Sequence, residues 1–215
     1  MRVLTYVPLK PTRPRLHPLT AAAIESLDWP AMPIAYGRND SATNHYTDLC
    51  DKHDQARDMA LYGGYDALFL VEADMVIPPD ALRKLATLDV PVAYGLYVRR
   101  YPPYEWLALT KLTSDDHEFV SADANYARQW LGDGTQAIET CGVGLGCTLI
   151  RRDVLEKLSF RQWRGMADDW AFALDCCAYG IPQFTHTGVV CGHVSDDVVL
   201  WPAVDEPGLV RKEAL

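Results

Sequence analysis

A chain of 215 residues, 49% of them hydrophobic, is long enough to bury the core of one sizeable domain. Its net charge of −9 argues against a protein that grips nucleic acid through a broad basic surface, and no apolar run reaches the ~20 residues that a membrane helix needs. Six scattered cysteines without paired CxxC units argue against a structural zinc module, and Met1-Arg2-Val3-Leu4 leads into a strand rather than a signal peptide, so a cytoplasmic protein with reduced thiols is expected.

In chain order, residues 2–9 read as a first strand, ended by Pro8 and Pro11. Residues 17–27 follow as a helix with Leu19, Ala23 and Leu27 on one face. A short strand over 33–36 leads into the polar loop Gly37-Arg38-Asn39-Asp40-Ser41. A longer helix spans 46–61, where Leu49, His53, Ala56 and Ala60 recur at helical spacing, and Gly63-Gly64 stops it. Residues 66–72 form a third, strongly apolar strand; a helix starts at Pro79 and runs through Leu82, Leu85 and Leu88; a fourth strand covers 90–96. Strand and helix thus alternate with short connections, which predicts a mostly parallel sheet wrapped by helices. Residues 99–140 are less regular, carry Tyr101, Tyr104, Trp106 and Trp130, and read as an insertion over the active face. Regular structure resumes over 141–150, then in a short helix opened by Asp153, a helix over 169–179 and a strand over 188–192. Beyond Val194 periodic cues are few, and the tail is expected to fold over the site.

The third strand gives out into Glu72-Ala73-Asp74 and a proline-marked turn. A buried strand that ends in acids aims charge at a ligand above the sheet edge, which is where open α/β sheets bind. Carboxylate oxygens are hard ligands suited to Mg²⁺ or Mn²⁺, ions commonly shared with substrate phosphates; the alternative is a pair of solvated loop acids.

Four further features bear on chemistry. In Cys141-Gly142-Val143-Gly144-Leu145-Gly146-Cys147 the glycines are followed by the strand Thr148-Leu149-Ile150 and not by a helix, which excludes a dinucleotide loop. Those glycines, Gly144 central among them, either admit a ligand close to the backbone or bend a strand. Asp168-Asp169 opens a helix, where acids cap free N–H groups and a carboxylate stays ionised as a proton acceptor must. His193 follows an apolar strand and is either a hydrogen-bonded structural residue or a nitrogen ligand beside Asp74. Arg13, Arg15, Arg38, Arg99 and Arg100 are cations able to meet a phosphate.

Taken in order, these segments resemble the GT-A glycosyltransferases, most closely the large family-2 group. The matching pieces are the strand ending at Pro8, Ala56-Arg57 before the acidic strand, Leu68-Phe69-Leu70-Val71-Glu72-Ala73-Asp74 with Pro78-Pro79-Asp80-Ala81-Leu82, the glycine run continuing through Arg151-Arg152, Asp168-Asp169-Trp170-Ala171-Phe172, and Gly180 leading to Cys191-Gly192-His193. The resemblance implies a Rossmann-like α/β domain with a mixed, mostly parallel sheet flanked by helices. It would be a single domain over 1–215, with a nucleotide-binding half over 1–98 and a sugar- and acceptor-binding half over 99–215. It also implies a nucleotide-sugar donor, UDP-linked by default, with Mn²⁺ or Mg²⁺ on its diphosphate.

Residue by residue, Asp74 falls on the metal-binding aspartate of the family's Asp-X-Asp motif. Glu72 replaces the first aspartate and would hold the metal, the ribose or a metal-bound water, with Ala73 between them. His193 falls on a C-terminal metal histidine, and Asp168-Asp169 match an acidic pair with Asp169 as the base. Pro8 and Asp40 match nucleobase segments. Arg57 would reach the nucleobase or diphosphate, or else pair with a nearby acid such as Asp54. Arg99, Tyr101 and Trp106 would meet sugar or acceptor. The implied reaction is transfer to an acceptor hydroxyl by inverting single displacement, the acceptor being a small molecule, glycan, protein or modified DNA. Two rivals stay open: a nucleotidyltransferase that makes a nucleotide sugar, and a sugar-binding module without catalysis.

Overall fold

In the computed structural model, which describes residues 1–9, 15–30, 33–37, 45–131, 137–142, 144–164 and 168–215, the first strand β1 (Val3–Pro8) is buried at every position. A strand covered by helices on both faces has no polar side, hence its unbroken apolar run. It is followed by α1 (Pro18–Glu25), β2 (Ile34–Gly37), α2 (His45–Tyr62), β3 (Ala67–Val71), the two-residue β4 (Met75–Val76), α3 (Ala81–Thr87) and β5 (Val92–Leu96). The remainder adds β6 (Leu109–Leu112), β7 (His117–Phe119), α4 (Ala124–Leu131), β8 (Ala137–Thr140), β9 (Cys147–Arg151), α5 (Arg152–Lys157), α6 (Asp168–Ala178), β10 (Gln183–Val190), β11 (Gly192–Ser195), β12 (Val198–Pro202) and β13 (Val210–Ala214).

Among the described residues, seven strands form the central sheet in the order β2-β1-β3-β9-β5-β10-β8. β2, β1, β3, β5 and β10 share one direction and β9 and β8 oppose it, so the sheet is mixed and mostly parallel, as expected. Because β9 is antiparallel between β3 and β5, it begins where they end, with Cys147 opposite Val71. The turn at 144–146 therefore lies at the same sheet edge as Glu72 and Asp74, and the Glu72 N–H donates to the Gly146 carbonyl at 3.1 Å.

A second sheet, β13-β12-β11-β4, is antiparallel throughout and grows from that edge. It contains the tail whose sequence offers few cues: β12 and β13 pair in register from Val198–Ala214 to Pro202–Val210. Trp106 ties the insertion to this tail, its indole donating to the Leu209 carbonyl at 2.7 Å.

Other boundaries differ from expectation for local reasons. The helix expected from Pro79 begins at Ala81, because Pro78 and Pro79 form a turn closed by the Ala81 N–H on the Pro78 carbonyl at 3.0 Å. Within the stretch expected to be regular over 141–150, the strand begins only at Cys147, directly after a turn at Leu145-Gly146. β10 starts at Gln183 rather than Gly188, held between β5 and β8.

The stripe of α2 that faces the core carries His53, Ala56 and Ala60 as the spacing predicts, and also Asp48 and Lys52. A buried ammonium needs partners. Lys52 donates to the Asp48 carboxylate and to the Leu9 carbonyl, which fastens α2 to the end of β1. All six cysteines are free thiols, and Cys147, Cys176 and Cys191 are buried. Among the described residues no helix is long and apolar enough to cross a membrane.

Candidate active site

Three chain segments meet at the edge of the central sheet. Beyond β3 the chain makes a tight turn, the Met75 N–H bonding the Glu72 carbonyl at 3.2 Å, and re-forms as β4. β11 pairs with β4 so that His193 stands opposite Met75, and the Val194 N–H donates to the Asp74 carbonyl at 2.8 Å. Glu72, Asp74 and His193 each offer a ligand atom, and those atoms lie within 4.8 Å of one another.

The donor set fits a hard divalent cation. His193 Nδ1 lies 2.9 Å from the Val98 carbonyl; a carbonyl only accepts, so Nδ1 carries the proton and Nε2 presents a lone pair. This is the orientation that a second-shell carbonyl gives to metal-binding histidines. Asp74 Oδ1 lies 3.7 Å from His193 Nε2, a spacing that two ligands with bonds of ~2.1 Å to one ion can span. The same space receives the Arg100 guanidinium, whose Nη2 donates to Asp74 and, at 3.1 Å, to His193 Nε2. Tyr97 meets the His193 ring edge-on at 5.6 Å, and its hydroxyl accepts from the Gly146 N–H at 2.9 Å.

Asp169, in the first turn of α6, lines a narrow cleft with Gly144, Leu107, Leu109, Phe119 and Trp170. Burial, reinforced by the charge of Asp168, pushes its carboxyl up to about 6. Glu72 is pushed up to about 7, first by burial and then by the charges of Asp74 and Asp169, with Arg100 opposing. Burial likewise holds the Tyr97 hydroxyl well above the ordinary phenol range.

Asp168 turns the other way. It is fully buried, and its Oδ2 meets His53 Nδ1 of α2 at 2.7 Å, with the His53 ring against Phe160 at 5.2 Å. Neighbours on a helix are about 100° apart around its axis, which separates the two acids onto different faces.

The structure brings Glu72, Asp74 and His193 together, with Gly144 and Asp169 on the adjoining cleft. The Ala73 carbonyl accepts from the His17 N–H at 3.2 Å, tying the acidic turn to α1. Pro8 ends β1 opposite Gly37, while Asp40 lies outside the described residues. Arg57 is elsewhere: its Nε donates to the Leu155 and Leu158 carbonyls at 2.7 and 2.8 Å, and it pairs with Asp58 at 3.0 Å. Arg99 is exposed and pairs with Glu105 at 2.9 Å. Tyr101 is exposed, whereas Trp106 belongs to the core and offers no face to a ligand. At Gly144 an added Cβ would stand 2.3 Å from the Tyr97 hydroxyl, so the glycine makes room for Tyr97. Tyr97 carries no signal in the sequence and His53 only that of a core-facing helix position; Arg100 carries one, as one of two adjacent arginines a few residues past a buried strand.

No protein-family model and no curated protein sequence matches the chain. Solved structures do. The chain is similar to A197 from STIV, with a TM-score of 0.62 at 18% identity over 100% of this chain and 95% of that one. It is also similar to the 1–349 fragment of S. aureus TarS, with a TM-score of 0.50 at 11% identity over 86% of this chain and 58% of the fragment. At such identities the likeness is one of fold alone: a GT-A-like, Rossmann-like α/β domain with a mostly parallel central sheet.

Proposed function

We propose that this chain is a metal-dependent glycosyltransferase that moves a sugar from a nucleoside-diphosphate donor, a UDP-sugar first of all, to an acceptor hydroxyl. The observation that carries this reading is the convergence of Asp74, Glu72 and His193 at the sheet edge where a donor would lie, with a second carboxylate, Asp169, on the adjoining cleft. Asp74 and His193, with Glu72 beside them, would hold Mn²⁺ or Mg²⁺, which when bound would counter the charge gathering on the departing diphosphate.

The chain's own residues supply the rest. An acceptor hydroxyl is a poor nucleophile, and Asp169 would take its proton during attack. With its carboxyl at about 6, Asp169 is ionised at neutral pH and more basic than an ordinary aspartate. Attack from the face opposite the leaving group would invert the anomeric carbon. Leu107, Leu109, Phe119 and Trp170 give the cleft apolar walls, which exclude water and strengthen charge interactions inside it. Pro8, on β1, is the described candidate for nucleobase contact.

The test is incubation with Mn²⁺ and a panel of nucleotide sugars while nucleotide release is followed. Release that needs Mn²⁺ and is lost in Asp74→Asn is expected. Pyrophosphate release from a nucleoside triphosphate and sugar phosphate, with no release from any nucleotide sugar, would make the chain a nucleotidyltransferase instead.

A further inference from the structure

We infer that Arg100 is a built-in occupant of the cation site, joining Asp74 to His193 until a divalent ion displaces it. The inference rests on the metal-dependent reading above, and its ground is geometric. One guanidinium nitrogen, Nη2, donates both to the Asp74 carboxylate and to His193 Nε2, the two side chains that would ligate the ion. An ion bound to both would sit ~2.1 Å from each, in the space this nitrogen already takes. Two cations cannot share it. The Asp74 and Arg100 side chains are 14% and 20% exposed, so water screens their surroundings poorly and the repulsion would be strong. Metal binding therefore requires the guanidinium to swing out.

Displacement, rather than permanent replacement of the ion, follows from what surrounds Arg100. The charges of Asp74 and Asp169 both bear on Glu72 across this pocket, and a single guanidinium offsets one negative charge. His193 holds its Nε2 lone pair toward the pocket, a donor suited to an ion. Among the described residues the hydrogen bonds of the Arg100 side chain go to Asp74 and His193. It lies four residues past the end of β5, and the residues after it, Tyr101 and Pro102, are exposed, which leaves the side chain a path to solvent.

The experiment is a titration with Mn²⁺ alone, followed by loss of the free-ion EPR signal, on wild type, Arg100→Met, Arg100→Gln and Asp74→Asn/Arg100→Met. Both single variants are expected to bind Mn²⁺ about tenfold or more tighter than wild type, because the ion no longer breaks charge-assisted hydrogen bonds to enter. The double variant should lose the site. Mn²⁺ should also raise the melting temperature of Arg100→Met more than that of wild type, a readout independent of turnover. Equal affinity in wild type and both Arg100 variants, still abolished by Asp74→Asn, overturns the inference and leaves the metal-dependent transferase standing. No Mn²⁺ binding in any variant overturns it too, and nucleotide release from a UDP-sugar in EDTA then separates a metal-free transferase from a protein that is no transferase.

Discussion

His193 pairs with Met75 across the β4–β11 ladder, and this register sets the imidazole beside Asp74, the residue before Met75. A slip of one residue would turn the ring to the other face of the small sheet. The candidate cation site is thus fixed by main-chain pairing as much as by its side chains, and His193 is further held by the Val98 carbonyl.

Asp74→Asn and His193→Ala should each weaken Mn²⁺ binding by about a hundredfold or more while the fold survives, since loss of even a second-shell partner costs metal sites 10–100-fold. Calorimetry with Mn²⁺ and far-UV circular dichroism check the two halves of this statement. Unchanged Mn²⁺ binding in both variants would remove the site from Asp74 and His193.

Asp169→Asn should leave nucleotide-sugar binding in place and lower turnover by about 10²–10⁴-fold, the usual worth of a positioned base. In wild type, kcat/KM should fall tenfold per pH unit below about 6 and level off above it, because only the ionised carboxylate accepts a proton. The same group tells on stability, with a definite sign. Its folded value of about 6 exceeds the ordinary 3.8, so the carboxylate penalises the fold progressively between those pH values and constantly above them. Asp169→Asn should therefore melt higher than wild type at pH 7.5, with the gap closing toward pH 4. A variant that melts lower at pH 7.5 would contradict the buried placement.

Asp168 and His53 form a buried pair, each side chain about 1% exposed. Asp168→Ala would strand the imidazole and should cost ~2–4 kcal/mol of unfolding free energy. Asp168→Asn keeps an acceptor and should cost less, with turnover far closer to wild type than in Asp169→Asn. Chemical denaturation and steady-state kinetics on the three variants make the comparison; equal loss of turnover in Asp168→Asn and Asp169→Asn would give both acids a part in the chemistry.

Gly144→Ala drives a methyl group to 2.3 Å from the Tyr97 hydroxyl and should destabilise by ~1–3 kcal/mol. Adding Tyr97→Phe removes that oxygen, after which the nearest atoms are at 3.3 Å, and should recover part of the loss. Recovery stays partial because the Gly146 N–H loses its acceptor. A double variant no more stable than Gly144→Ala would show that the clash lies elsewhere.

The legible parts of the fold are those whose signal is local. β3 is readable because Ala67 to Val71 are all apolar and all buried, so the strand announces itself and its acidic end together. His193 is readable only as an isolated histidine, because its place depends on β4, two residues long and without pattern. Arg100 is readable as a cation near a site but not as a partner of Asp74, since that contact requires the chain beyond β5 to cross the same edge. Asp168 and Asp169 read as one acidic pair; only the buried His53, on a distant helix, assigns the first of them to the core. Arg57 has a helix-face address in the sequence, and which neighbour it finds is set by α5 packing on α2.

The antiparallel β9, wedged between β3 and β5, has a consequence for biosynthesis. A nascent chain that has reached residue 98 possesses β1, β2 and β3 as one ladder and β5 as an orphan, with nothing to bridge them. The bridging strand leaves the ribosome only with Cys147–Arg151, so the apolar flank of β3 must wait, shielded or exposed, until the glycine turn has been made. Ribosome-bound chains arrested before residue 151 and well after it, with β9 clear of the exit tunnel, should therefore differ sharply in protease resistance, and in that event the acidic turn gains its bond to the Gly146 carbonyl.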